Sequence, residues 1–408
     1  MLEHHPIFVV MAIAVLAPLL AEIPIGLRLP VVVLEIALGV IIGPHVLGLV
    51  AGRPNEFLDV MQRAGLGAVL FMAGMEIDFS RIRGQPLSLA LRGWLASVAL
   101  AFAAVGLLHV IPGVDAPLMV TAALTTTMLG ALIPLLRDQG LLDTPFGGMV
   151  LAAGTVGEIG PIVGVSLLMS TRYTTLHEFI YLLAFLALVA VAVTIGMGVR
   201  PRWALALLSR TMHASAQLPV RLVFFAVAGL SVLSVELGFE SILGAFAAGM
   251  IVGLATRGED GESIRVKLDA VCFGFLSPFF FVATGIAFDL GALTHSVATM
   301  LLTPAFLLLF LLARGAPVLL YGDKLPKSER LAFAFSTSVA SLGLVVAITQ
   351  IGLRARAMNP DIAHALIGAA VFSMLLYPTL GGVLLSKAVG RAAGVSTSDA
   401  KVGESRGS

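Results

Sequence analysis

Charge is scarce in this chain. Asp, Glu, Lys and Arg together make up 12% of its 408 residues, about half the share of a typical soluble domain, which excludes an ordinary water-soluble protein. Cysteine is nearly absent. The single Cys272 rules out a disulfide framework and, inside an apolar run, reads as a buried inert thiol. Net charge is only +1, so nothing argues for nucleic acid as a partner. The sequence also lacks a phosphate-cradling glycine loop, a dinucleotide fingerprint, a nucleophile elbow and any His/Cys/Asp cluster with metal spacing. These absences argue against an enzyme, a resident cofactor or metal, and an ATP motor, leaving an ion gradient as the energy source. Glu3, His4 and His5 stand where a secretory signal would be basic, so the first apolar segment is expected to stay in place.

What fills the chain is apolar sequence: 58% of residues, with a mean hydropathy of +1.02. Apolar runs follow one another from near Pro6 to near Leu385. Since a bilayer-crossing helix needs about 20 apolar residues, about thirteen spans are expected. They lie near 6–25, 30–50, 59–78, 87–110, 116–136, 147–170, 177–199, 217–236, 239–256, 268–288, 294–320, 329–352 and 362–386, the second and ninth being marginal. Lys and Arg favour the cytoplasmic side. With the N-terminus outside, the inside loops collect Arg200, Arg202 and Arg210; Arg257, Arg265 and Lys267; and Lys324, Lys327 and Arg330. The outside loops hold only Arg53, Arg172, Arg354 and Arg356. The expectation is therefore an all-α, multi-pass protein of the inner (plasma) membrane with a cytoplasmic C-terminus. The small, polar segment 391–408 is expected to be a disordered tail.

The chain repeats itself. AlaLeuGlyValIleIleGly at 37–43 matches AlaAlaGlyMetIleValGly at 247–253, an offset of 210. PheMetAlaGlyMetGluIleAspPhe at 71–79 resembles PheValAlaThrGlyIleAlaPheAspLeu at 281–290 at nearly the same offset. The intervening number of spans is odd, so the copies face opposite ways: repeat one about 6–170, a linker helix about 177–199, repeat two about 217–386. Inverted repeats of this kind are a transporter signature, because two near-equivalent halves give two near-equivalent states open to opposite sides.

The repeat also locates a site. LeuThrThrThrMetLeuGly at 124–130 in span five pairs with PheSerThrSerValAlaSer at 335–341 in span twelve, setting the hydroxyl cluster Thr125, Thr126, Thr127 against Ser336, Thr337, Ser338. Unwound backbone in lipid is tolerated only where it lines a cavity or is buried in protein, so spans five and twelve are expected to be broken and to cross at the bilayer midplane. Hydroxyl packing between close helices is the alternative. Glu158 lies mid-way along span six, where an ionised carboxylate must reach water, find a partner or bind a proton. A carboxylate that holds either a proton or a cation, but not both, is an exchanger's site. Thr126, Thr127 and Thr155 could add oxygen ligands. Arg314 in span eleven cannot shed its proton; it can balance partial negative charge at the crossing or pair with Glu158, unless it snorkels to an interface. Glu35 in span two reads equally well as supporting charge or as structure. Glu76, Asp78 and Asp289 read as solvated anchors at span ends.

At these motifs the sequence resembles the membrane domain of the monovalent cation:proton antiporter-2 family, over residues 6–390. The carriers are ArgLeuProValValValLeuGluIleAlaLeuGlyValIleIleGlyProHisValLeuGly (28–48), LeuPheMetAlaGlyMetGluIleAspPhe (70–79), GlyLeuLeuAspThrProPheGly (140–147), LeuGlyAlaPheAlaAlaGlyMet (243–250) and PhePheValAlaThrGlyIleAlaPheAspLeu (280–290). The resemblance implies a core with two crossed broken helices, moving against a scaffold that forms a homodimer. It implies exchange of Na⁺ or K⁺ for H⁺, with Glu158 as the ion-binding acid and Arg314 at the basic position of span eleven. One carboxylate then implies electroneutral exchange. Family members commonly carry a polar residue before the acid; here Gly157 departs from that pattern. A sodium-coupled symporter or uniporter of an organic solute, built on the same inverted-repeat plan, is the alternative.

Overall fold

A computed structural model describes residues 6–22, 31–50, 56–77, 82, 84–108, 117–129, 132–133, 136, 140–168, 180–181, 183–185, 187–188, 191, 217–256, 259–288 and 297–404. Every regular element among them is helical. In chain order these are α1 (Pro6–Ala21), α2 (Val31–Ile42), α3 (Glu56–Met75), α4 (Gln85–Leu108), α5 (Pro117–Leu124), α6 (Pro145–Leu168), α7 (Leu218–Glu236), α8 (Ser241–Ala255) and α9 (Glu259–Val271). A π-helical turn (Cys272–Leu276) leads into α10 (Ser277–Ile286). Then come α11 (Val297–Gly315), a 3₁₀ segment (Ala316–Lys324), α12 (Lys327–Thr337), α13 (Leu342–Arg354) and α14 (Pro360–Glu404).

Among the described residues, seven helices are long and apolar enough to cross a membrane, or eight if the bent pair α12–α13 counts as one span. The expected second and ninth spans appear as the shorter apolar helices α2 and α8, as does the first, α1. Most of the expected linker helix, 177–199, lies outside the described residues, as do Asp78 and Asp289. Helix α14 continues through the polar segment for which disorder is expected.

The chain divides into two units. The first comprises Met1–Asp78, Pro161–Met300 and Val346–His364. Two helix pairs within it are built alike. In one, α2 lies on α10, with Gly39 over the Val282 carbonyl and a Cβ at Gly39 falling 3.0 Å from the Gly285 Cα. In the other, α3 lies on α8, with Gly74 over the Phe246 carbonyl and its Cβ position 3.1 Å from the Gly249 Cα. Gly39 and Gly249 are equivalent in the duplicated motif, and so are Gly74 and Gly285. Each repeat's first motif helix thus packs on the other repeat's second, through backbones brought together by missing side chains. Small residues serve this purpose in lipid, where no hydrophobic effect drives helices together and close van der Waals contact must do so. The apolar fill comes from Ala68, Phe71, Met75, Ala248, Val252 and Leu268 on one side. Val9, Val10, Ile13, Phe279, Val282 and Ile286 supply the other. Cys272 is buried and free, as its surroundings in the sequence suggest.

These crossings leave no room for growth. Gly285→Ala would drive a methyl into the Ile36 carbonyl and to 2.9 Å from the Gly39 Cα. A loss of about 1–3 kcal/mol is expected for such overpacking. Gly229→Ala, at a helical glycine with nothing within 4 Å, should be neutral or slightly stabilising. Thermal unfolding of the two detergent-solubilised variants checks both.

Glu76, just past the end of α3, is half-buried.

The second unit comprises Phe79–Gly160, Leu301–Val345 and Ala365–Ser408. Here α5 stops at Leu124 and α12 at Thr337, and α12 and α13 meet at a 45° bend. Trp94 of α4 lies flat against the Gly160 position of α6, where any Cβ would strike the indole. The Tyr377 hydroxyl of α14 donates to the Leu307 carbonyl of α11 at 2.6 Å. Phe333 of α12 stacks on Tyr321, with ring centroids 4.6 Å apart.

Candidate ion-binding site

Two interruptions in helical backbone define the site, both in the second unit. After α5 the chain runs unwound through Thr125–Thr127, and after α12 through Ser338–Ser341. Backbone groups freed in this way must find partners when no water is at hand. They find each other. The Thr127 hydroxyl donates to the Thr337 carbonyl at 2.7 Å, and the Met128 N–H to the Val339 carbonyl at 2.8 Å. Thr127 and Thr337, 210 residues apart, belong to the two hydroxyl clusters that the sequence sets against each other. The Ala340 N–H donates to the Ser373 hydroxyl at 3.1 Å.

The expected hydroxyl residues are all fully buried here: Thr125, Thr126, Thr127, Thr155, Ser336, Thr337 and Ser338. Their jobs differ. The hydroxyls of Thr125 and Thr126 donate to the carbonyls of Ala122 and Ala123, at 3.0 and 2.8 Å. They cap the last turn of α5 and keep only lone pairs for another ligand. Ser338 caps α12 in the same way, donating to the Ala334 carbonyl at 2.6 Å. The Ser336 hydroxyl is buried without a hydrogen-bond partner among the described residues. Thr155 lies on α6 one turn before Glu158.

Glu158 is 2% exposed. Its Oε1 accepts the N–H of Leu129, the first helical residue after the break, at 3.2 Å. The Thr127 N–H donates to the carbonyl of Gly157 at 3.1 Å, so α6 is fixed to the unwound segment at Gly157 and at Glu158 itself.

Arg314 completes the arrangement and does not snorkel. It is 4% exposed. Its Nε donates to Thr127 Oγ1 at 2.7 Å, Nη1 to Ser97 Oγ at 3.3 Å and Nη2 to the Ala153 carbonyl at 2.9 Å. The guanidinium therefore ties α4, α6 and the first break together. Gly157 now has a physical reason. A Cβ there would lie 2.6 Å from Arg314 Nη2 and 2.7 Å from Thr127 Oγ1. The space that a polar side chain before the acid would need is taken by the arginine fork.

Glu35 falls in the first unit, buried at 4% exposure in α2. The sequence reading missed Ser97 and Trp94, which carry no pattern of their own in an apolar helix, and the Ser373 hydroxyl. Among the described residues no group of three His, Cys, Asp or Glu could hold a resident metal.

Known proteins resemble this chain along most of its length. A family model described as "Sodium/hydrogen exchanger, transmembrane" matches residues 11–387. The putative Na(+)/H(+) antiporter YjbQ of Bacillus subtilis is 27% identical over 91% of the chain and 61% of the relative. Cation/H(+) antiporter 18 of Arabidopsis thaliana is 24% identical over 90% of the chain and 47% of the relative. The chain thus spans about half to three-fifths of these two longer proteins. It spans 96% of the Na(+)/H(+)-K(+) antiporter GerN of Bacillus cereus, at 24% identity over 93% of the chain. In three dimensions, the structure of the sodium proton antiporter MjNhaP1 from Methanocaldococcus jannaschii at pH 8 superposes with a TM-score of 0.63. It covers 96% of this chain and 98% of that one at 19% identity, which establishes a shared fold.

Proposed function

Because the chain belongs to the sodium/hydrogen exchanger family, we propose that it exchanges a monovalent cation, Na⁺ or K⁺, for H⁺ by alternating access. Glu158 binds the two in turn. The observation that carries this is a single carboxyl, 2% exposed, held by the Leu129 N–H beside the meeting point of two broken helices. A proton or an alkali ion on Glu158 neutralises the same one charge, so the loaded site has equal charge on both half-cycles. Exchange is therefore electroneutral, one cation for one proton. Arg314, which never deprotonates, contributes a constant positive charge and cannot itself ferry protons. Oxygens of Thr126, Thr127 and Thr155 supplement the carboxylate, as hard alkali ions prefer. Glu35 acts as a supporting charge in α2.

The paired crossings Gly39–Gly285 and Gly74–Gly249 support the reading of two inverted repeats, about 6–170 and 217–386, with 177–199 as linker and 391–408 as tail. The names of the relatives support both cations. We place the chain in the plasma membrane as a homodimer, N-terminus outside and C-terminus cytoplasmic. The organic-solute alternative gains no support from any described feature. The deciding experiment reconstitutes the full chain in proteoliposomes and follows lumenal pH by fluorescence. Addition of Na⁺ or K⁺ should release protons without developing a membrane potential. Solute uptake with no cation-dependent proton movement would refute the assignment.

A further inference from the structure

Beside Arg314 the second unit contains a small chamber lined by Ala90, Gly93, Trp94, Ala153, Pro317, Tyr321, Phe333, Thr337 and the arginine itself. The chamber is partly open, and its volume of about 10 Å³ is on the scale of one small particle. Its polar lining is one-sided. Arg314 spends three of its five N–H donors on Thr127, Ser97 and Ala153, which leaves two. Trp94 Nε1 is buried with no hydrogen-bond partner among the described residues, and indole N–H can only donate. The Tyr321 side chain is 3% exposed, and its hydroxyl makes no hydrogen bond with the described residues. No carboxylate lines the chamber.

Unused donors around a buried positive charge are costly in two ways. Each desolvated donor without an acceptor is destabilising, and an unneutralised guanidinium more so. All three hydrogen-bond partners of Arg314 are neutral oxygens. Water would satisfy the donors but not the charge; a cation would satisfy neither. We infer that the chamber formed by Arg314, Trp94 and Tyr321 is a binding site for one small monovalent anion, chloride being the cellular candidate. Gly93 keeps it open: its Cβ position lies 3.8 Å from the Tyr321 hydroxyl and 3.8 Å from Pro317. The anion serves as counter-ion to Arg314 and holds the arginine fork against Thr127. Sulfate and gluconate are too large to enter.

The test uses the purified full chain in detergent at constant ionic strength, exchanging gluconate for chloride. The melting midpoint should rise by about 2–4 °C and saturate. Trp94→Phe and Tyr321→Phe, which preserve an aromatic ring, should each lose at least half of that shift. Absence of a chloride-specific shift in the parent chain, or an undiminished shift in both variants, overturns the proposal. Bromide-containing crystals of the unaltered chain give a second reading that needs no variant. An anomalous peak within hydrogen-bond reach of Trp94 Nε1 supports the anion; a chamber holding density without anomalous signal, or no density, identifies it as a water pocket or an empty one. Anion binding is measured without transport, so failure of cation/proton exchange in proteoliposomes would leave this result standing, and the reverse.

Discussion

Glu158→Gln should fold, insert and melt like the parent chain, yet move no protons in response to Na⁺ or K⁺. The amide is nearly the same shape as the acid, and its carbonyl can still accept the Leu129 N–H now received by Oε1 at 3.2 Å. The crossing is therefore kept. What is lost is the group that takes up a proton on one side and yields it for a cation on the other. Proton release in reconstituted vesicles should drop to the level of protein-free liposomes, while melting temperature changes little. The contrast separates a site residue from a structural one. A buried carboxyl that served packing would cost stability when altered and leave flux per folded molecule intact. Full exchange by the Gln variant would remove the proposed mechanism.

Gly157 carries the second large effect. The Cβ of Gly157→Ala would have to share space with Arg314 Nη2 at 2.6 Å and Thr127 Oγ1 at 2.7 Å. Neither neighbour is a loose end. The guanidinium is fixed by three hydrogen bonds, and the Thr127 hydroxyl spans the two breaks. Displacing the fork leaves buried donors and acceptors unpaired, at about 1–3 kcal/mol each. Gly157→Ala should lower the melting temperature by several degrees and reduce exchange more than tenfold, since each 1.4 kcal/mol is about a factor of ten. Gly157→Asn, which restores the polar residue common before the acid, should fare no better in this background. Combined with Arg314→Ala, which vacates the space, Gly157→Asn should recover stability relative to Gly157→Asn alone. Additive losses in the double variant would show that the two positions do not compete for the same volume.

The sequence made much of this legible because lipid is a strict solvent. Few residues can stand in it without a reason, so Glu158 and Arg314 announce themselves by charge alone. The hydroxyl clusters at 125–127 and 336–338 are visible because the duplication pairs them, and duplication survives in the glycines that close helix crossings demand. Other residues left no such trace. Trp94, Ser97 and Ser373 are ordinary members of apolar helices, and nothing in a linear string says that an indole lies flat on Gly160 or that a serine meets a guanidinium from another helix.

By itself the amino-acid order determined the solvent and the all-helical class, since each depends on composition or on periodicity along one segment. The tertiary structure alone decided which partner each buried polar group received. That choice is made by distance across helices, where a few tenths of an ångström separate a hydrogen bond from a clash. Gly157 shows the division: in the sequence it is a missing side chain, and in the folded unit it is the space that Arg314 fills.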